Sequence, residues 1–114
     1  MDKVAEILNA LAGHPVILVS HGVGEQLRCR HGHFQDAAVS DDEEVLVLHG
    51  AYYTLFAARR EVEIWPDELS IVFSRFNAFG DPLANAFVFC PGDDRGEHVR
   101  GILLEAAVAL AEAR

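Results

Sequence analysis

Residues 69–90, LSIVFSRFNAFGDPLANAFVFC, are the stretch that decides the predicted fold. Residues 69–74 alternate apolar and small polar side chains, except at Val72, as a strand with one solvent-facing side does. Residues 76–82 contain Asn, Gly and Pro, which favour a turn because the first two accept left-handed backbone angles and Pro has no amide donor. Residues 83–90 are strongly apolar and return as a second strand. The stretch therefore predicts a long β-hairpin.

The rest of the chain supplies elements that can pack beside this hairpin. Apolar or alternating segments predict further strands at residues 16–20, 26–33, 45–49 and 53–64. The acidic stretch 35–44 predicts a loop, and residues 3–12 and 95–113 predict helices, because each has a stripe of apolar residues at helical spacing. We therefore expect an α+β fold, an antiparallel sheet of five to six strands with the N-terminal helix and the long C-terminal helix packed on one face. The whole chain, residues 1–114, is expected to form one domain.

Charge and composition restrict the classes of partner. The 114 residues include 9 basic and 18 acidic side chains, which gives a net charge of −9. This balance disfavours nucleic acid and anionic membranes, since both attract Lys and Arg. No apolar run reaches the roughly 20 residues of a membrane span, and no secretory leader is evident. We expect a cytoplasmic protein in which Cys29 and Cys90 are free, buried thiols.

The common catalytic motifs do not occur in the sequence. It contains no P-loop, no GxGxxG after a strand, no GxSxG and no HExxH. No catalytic residue is therefore predicted. The question of enzymatic activity stays open, with a carrier role favoured over catalysis.

Histidines carry the main functional signal, since six of them occur in this short chain. Cys29, His31 and His33 alternate along one predicted strand, so their side chains project from one face and could share a metal ion. The competing interpretation is a buried thiol beside two half-exposed histidines. His21 and His49 each end a predicted strand just before a glycine, where a turn can leave an imidazole open to a cleft. The alternative for both is a solvent-facing turn residue.

Five segments of the chain, taken in order, carry a resemblance to a known family. They are VILVSH at 16–21, HGHF at 31–34, SIVF at 70–73, the return strand at 83–88 and GDDR at 92–95. Together they resemble the cytoplasmic heme-utilization carriers of the ChuX/HutX type, which are relatives of the HemS-like proteins. The chain departs from that family's pattern in its N-terminal helical segment, which is absent or reduced to residues 3–12. It also has Asn85 where a basic residue is expected, and the family's second heme histidine falls near Val47, with His49 as the nearest histidine.

The resemblance implies a homodimeric heme-binding protein that carries, stores or delivers heme, or supports heme breakdown with an external reductant. Iron would be held by His21 and His49, with His31 and His33 as further candidates. The aromatic platform for the porphyrin would come from Trp65, Phe73, Phe87 and Phe89. The cations for its propionates would come from Arg28, Arg30, Arg59 and Arg60.

A second hypothesis explains the same composition differently. Small, acidic, dimeric α+β proteins also serve as interaction modules, such as secretion chaperones. On this hypothesis the protein has no cofactor, its histidines are incidental, and it copurifies with a partner peptide.

Overall fold

The computed structural model describes residues 3–21, 28–40, 45–50, 54–76, 82–92 and 94–113. Within these ranges the strands are β1 (Pro15–His21), β2 (Arg28–Val39), β3 (Val45–Gly50), β4 (Thr54–Ala58), β5 (Val62–Trp65), β6 (Ser70–Phe76) and β7 (Pro82–Phe89). The α-helices are α1 (Lys3–Leu8) and α2 (Gly96–Ala113), and 3-10 helices form at Asn9–Leu11, Arg59–Glu61 and Pro66–Glu68. The α+β class and both helices are confirmed.

The strands form one antiparallel sheet in the order β4-β3-β2-β1-β7-β6-β5. The hairpin that decided the prediction is confirmed, since β6 and β7 pair from Ser70 opposite Val88 to Phe76 opposite Pro82. Its turn, residues 77–81, lies outside the described residues. Strand β1 lies at the centre of the sheet, between β2 and β7.

The sheet curls strongly, because its two outer strands are consecutive in the chain. Only Arg59–Glu61 links β4 to β5, so residues 58 and 62 lie at most about 14 Å apart. In a flat sheet, six strand spacings would separate β4 from β5 by about 29 Å. A β-bulge between Phe34 and Asp36 bends β2 at the point where it leaves β1 and begins to pair with β3.

Both helices pack on one side of the sheet, which we call the helix face. The predicted apolar stripes are buried there, Val4 and Leu8 in α1 and Val99, Leu103, Ala106 and Leu110 in α2. The sheet contributes alternate residues to the same core, because successive side chains in a strand point to opposite sides. The largest of these that are fully buried are Phe34, Leu46, Leu48, Ile71 and Phe87.

The opposite side of the sheet, which we call the open face, carries Ile17, Val19, Val72 and Val88. The strand register places these residues together. Ile17 pairs with Val88, and Val19 and Val72 both pair with Ala86 of β7. All four are half-buried, and they lie on the side of the sheet opposite to the core residues that α1 and α2 cover. The open face is therefore the side of the sheet on which a ligand or partner can meet apolar strand residues.

Two sequence-based predictions of the strands are wrong. The sheet has seven strands, not five to six, because residues predicted as one strand at 53–64 contain both β4 and β5. Strand β2 extends to Val39 instead of ending at His33. The bulge is the physical reason for the second error, since Gln35 and Asp36 are both exposed and interrupt the period of two, which resumes with Ala37 buried.

Asn9 joins the N-terminal helical segment to β2, and we predict that it contributes to stability. The backbone N–H of Ala37 donates to Asn9 Oδ1 at 2.7 Å, and Asn9 Nδ2 donates to the Ala37 carbonyl at 3.1 Å. Asn9→Ala removes both bonds and is expected to lower the free energy of unfolding by about 1–3 kcal/mol. Urea denaturation followed by circular dichroism measures this loss.

A graded series makes this prediction specific. Asn9→Asp keeps the acceptor but loses the donor, so its stability should lie between the wild-type protein and Asn9→Ala. Glu6→Ala, on the exposed side of α1, is the control and should change the unfolding free energy by less than about 0.5 kcal/mol. Equal stability of Asn9→Ala and Glu6→Ala would contradict the role of the two bonds.

Candidate functional site

A hollow on the open face, which we call the His31 hollow, brings two of the predicted site residues together. Its volume is about 390 Å³, and it is lined by Pro15, Val16, Ile17, His31, Gly32, His33 and Cys90. This volume lies within the range of roughly 300–1,000 Å³ that is usual for small-molecule sites. The lining combines apolar strand residues with two imidazoles and a thiol.

Strand pairing explains why His31 and His33 share this hollow. In the β1–β2 ladder, His31 lies opposite Ile17 and His33 opposite Pro15, while the intervening Gly32 lies opposite the buried Val16. Both histidines are exposed, and within the described part of the chain no hydrogen bond engages either ring. A neutral imidazole has one ring nitrogen that can accept a hydrogen bond or coordinate a metal ion and one that can donate.

Apolar residues continue from this hollow across the open face. A row of facing residues runs across five strands: Trp65, Ser70, Val88, Ile17 and His31. The neighbouring row begins at Glu63 in β5, continues through Val72, Ala86 and Val19, and ends at Cys29 in β2. A flat apolar ligand that reaches His31 from β7 and β1 would therefore contact the branched aliphatic side chains of Val88 and Ile17.

His49 lies on β3 and is not part of the His31 hollow. Its Nδ1 is 3.0 Å from Thr54 Oγ1, and its Nε2 is 3.6 Å from Asp36 Oδ1. Both ring nitrogens therefore already have polar neighbours. His49 faces Asp36, which is five residues beyond His31 on the same strand, a separation of roughly 15 Å along β2. The structure does not bring His31 and His49 to one site.

The other predicted ligands are placed less completely. The structure describes only the backbone of His21 and Arg28. His21 ends β1 opposite Ala84, and Arg28 begins β2 opposite Ser20. Arg30 is exposed and pairs with Leu18, a buried residue of the helix face. Arg30 therefore points away from His31 and does not line the hollow.

The predicted aromatic platform is wrong for three of its four members. Phe73, Phe87 and Phe89 are buried in the core on the helix face. Only Trp65 is exposed, at 45%, and it lies four strands away from His31. Sequence alone did not separate these cases, because an apolar strand can turn its aromatic residues to either face.

The thiols and the metal-site hypothesis also need correction. Cys29 and Cys90 are free as predicted, but both are exposed rather than buried. Among the described residues, no group of three or more His, Cys, Asp or Glu side chains could hold a metal ion. Cys29, His31 and His33 lie on one side of β2, as predicted. Among the described residues, however, they do not form a set of metal ligands.

Comparison with known proteins adds no family to this geometry. No family model, no curated protein and no solved structure matches the chain. Among the described residues, no helix is both long enough and apolar enough to span a membrane. The functional argument therefore depends on the residues of the site itself.

Pro15 and Cys90 are site residues that sequence reasoning missed. They come together because β7 pairs with β1, so that the Cys90 backbone N–H donates to the Pro15 carbonyl at 2.9 Å. The signal that could have found them is the strand order, since the residue after β7 must lie beside the start of β1 once these strands pair. Neither residue belongs to a recognisable motif.

Proposed function

We propose that the protein binds heme at the His31 hollow and carries, stores or delivers it in the cytoplasm. The observation that supports this proposal is the pair of exposed imidazoles, His31 and His33, on the wall of an otherwise mainly apolar hollow. Histidine is a common axial ligand of heme iron, and an apolar surface suits the porphyrin ring. His31 or His33 would then coordinate the iron, while Ile17 and Pro15 contact the ring.

This proposal changes the ligand set that the family resemblance implied. His49 would have to leave Thr54 before it could coordinate iron through Nδ1, and it lies far from the His31 hollow. His21 remains a candidate ligand on the strength of the resemblance alone. The bound group would supply the redox chemistry of its iron, and the chain would hold and orient it.

We predict that hemin binds the purified protein and shifts its Soret absorption band. The double substitution His31→Ala/His33→Ala should weaken binding by about tenfold or more, because it removes the proposed iron ligands. Titration with hemin, followed by absorbance, measures both effects. His98→Ala is the matched control, since His98 is exposed on α2 and does not line the hollow.

The outcomes separate the ligand assignments. Loss of binding in His21→Ala or His49→Ala, but not in the His31/His33 double variant, would favour the ligands implied by the resemblance and refute the site proposed here. An unchanged hemin spectrum on addition of the protein would refute heme binding altogether. Light scattering on the same samples measures whether the protein is the predicted homodimer.

The alternative function, an acidic interaction module without cofactor, is favoured by a different observation. Phe56 on β4 and Trp65 on β5 are 61% and 45% exposed, so large apolar side chains occur on both outer strands. Outer strands with exposed apolar residues are the usual place for pairing with another chain. Absence of hemin binding, together with a peptide that copurifies with the protein, would support this alternative.

A further inference from the structure

Helix α2 carries a second apolar stripe, on the side that faces away from the sheet. Leu104 and Val108 are 48% and 54% exposed, and Ala111 is exposed one turn further along. These residues are spaced four and three positions apart, so they lie in one line along the helix. We call this line the outer stripe. Other residues of the same helix, such as Leu103 and Leu110, form the buried stripe that holds α2 on the sheet.

A groove between α2 and β5 widens the outer stripe on one side. Its volume is about 260 Å³, and its lining includes Trp65, Ala107 and Ala111. Ala111 belongs to both the stripe and the groove, so the two apolar surfaces are continuous. Trp65 is 45% exposed at this surface. Leu104 and Val108 project from it, whereas the two small alanines leave room for a side chain of a partner.

Carboxylates surround this apolar surface. At 3.6 residues per turn, Glu105 and Glu112 fall on the side of the outer stripe away from the groove, and both are exposed. Glu97, also exposed, lies in line with the stripe, two turns before it begins. Glu63 lines the groove on the opposite side. A partner that covers the apolar surface therefore meets carboxylates at its borders.

The basic residues near this surface are matched by acidic ones. Arg100 is the one Lys or Arg in α2, and its Nε donates to Asp67 Oδ1 at 2.8 Å. Lys3 of α1 lines a hollow between the two helices together with Glu6 and Glu105. Neither cation lines the groove. We therefore expect a negative potential around the outer stripe, in keeping with the net charge of −9 of the whole chain.

This charge decides between two occupants of the apolar surface. A second copy of the chain, docked through α2, would place two acidic helices against each other and join two molecules that each carry a net charge of −9. Like charges brought together at an interface cost binding free energy. A helix of another protein with one apolar face bordered by Lys or Arg avoids this repulsion and finds carboxylates on both sides.

We propose that the outer stripe and its groove bind a basic amphipathic helix of another protein. Apolar side chains at every third or fourth position of that helix pack against Leu104 and Val108, and one of them enters the groove over Ala107. Its Lys or Arg side chains pair with Glu112 on one border and Glu63 on the other. This inference does not depend on heme binding, because none of these residues lines the proposed heme site.

Trp65, the sole tryptophan of the chain, reports on this surface directly. The probe is a peptide of about 18 residues, long enough to form a helix, in which Leu recurs every three or four positions, Lys flanks it and Ala fills the rest. Titrated into the 114-residue chain, it should give a saturable change in tryptophan fluorescence. A scrambled peptide of the same composition, which has no apolar face, should bind at least about tenfold more weakly. A peptide with Glu in place of Lys should also bind more weakly.

Protein variants separate docking on α2 from general attraction to an acidic protein. Leu104→Gln/Val108→Gln removes the apolar stripe without changing the charge, and should weaken the Leu-Lys peptide by about tenfold or more in calorimetry. Glu112→Lys should weaken it by about threefold to tenfold. Asp36→Lys, on β2, makes the same change in net charge away from α2 and is the control.

Three results would overturn the proposal. The first is an unchanged affinity of the Leu104→Gln/Val108→Gln variant, with circular dichroism verifying that it is folded. The second is equal weakening by Glu112→Lys and Asp36→Lys, which would indicate attraction to the net charge alone. The third is a dimer that the double Gln variant dissociates, since that result identifies a second copy as the occupant.

Discussion

Phe34→Ala is expected to lower the free energy of unfolding by about 3–5 kcal/mol. Phe34 is fully buried on the helix face, and its ring meets Phe87 edge to face at a centroid distance of 5.8 Å and Phe89 at 5.6 Å. The substitution removes the apolar contacts of a whole ring and leaves a cavity between β2 and β7 that the surrounding strands can only partly fill. Denaturant unfolding followed by far-ultraviolet circular dichroism measures the loss.

Phe56→Ala is the matched control for this prediction. Phe56 has the same side chain but is 61% exposed on β4, so its replacement should change the unfolding free energy by less than about 0.5 kcal/mol. If the two variants were equally stable, Phe34 would not lie at the centre of the core. The sheet topology that brings Phe34, Phe87 and Phe89 together would then be wrong.

Ala106→Glu is expected to have a similarly large effect for an electrostatic reason. Ala106 is fully buried between α2 and the sheet, and no Lys or Arg is fully buried among the residues that the structure describes. An uncompensated buried charge costs about 3–5 kcal/mol, which is comparable to the roughly 5–15 kcal/mol of total stability of a domain. We expect the variant to be mostly unfolded or to be recovered as aggregate, as judged by circular dichroism and size-exclusion chromatography.

Leu104→Glu tests the same helix with the same introduced residue. Leu104 is 48% exposed on the outer side of α2, so a carboxylate there stays hydrated and the helix keeps its buried stripe. This variant should fold with nearly wild-type stability. A well-folded Ala106→Glu, or an unfolded Leu104→Glu, would show that the orientation of α2 on the sheet is incorrect.

The helices and the central hairpin were predictable because each is specified by a local pattern. In α2, Val99, Leu103, Ala106 and Leu110 recur at helical spacing, and all four are buried. The β6–β7 hairpin combines alternating strands with turn residues between them, and its register confirms the prediction. Such patterns are read within a short window and do not require knowledge of the strand order.

The errors arose where the physical cause is not local. Within residues 54–65, the three consecutive charged residues Arg59–Glu61 are the one local interruption of the apolar and alternating pattern, but a charged run also occurs within solvent-facing strands. It therefore does not by itself mark the 3-10 helix at which the chain passes from one edge of the sheet to the other. Likewise, Phe87 and Val88 are adjacent apolar residues of β7, yet the first is core and the second lies on the open face. Only the position of the helices decides which side of that strand is buried.

The candidate site was predicted in part. The alternation of His31 and His33 correctly placed them on one side of β2, because a strand has a period of two regardless of its neighbours. The contribution of Pro15 and Cys90 depends on the pairing of strands from the two ends of the chain. Arg30, a predicted cation for the propionates, lies on the side of β2 opposite to His31. The groove between β5 and α2, which is lined by Ile64, Trp65 and Leu110 among others, was not predicted at all, since it exists only where an outer strand and a distant helix come together.

The central position of β1 has a consequence for the synthesis of the protein. β1 ends at His21, but its second neighbour, β7, is complete only at Phe89. A ribosome that adds roughly 5–20 residues per second needs about 3–14 s for the intervening segment. During this interval one long edge of the apolar strand β1 has no native partner in the nascent chain, and unpaired edges of this kind invite contact with other chains. The folding of this protein on the ribosome is therefore most vulnerable at the strand that later lies deepest in its sheet.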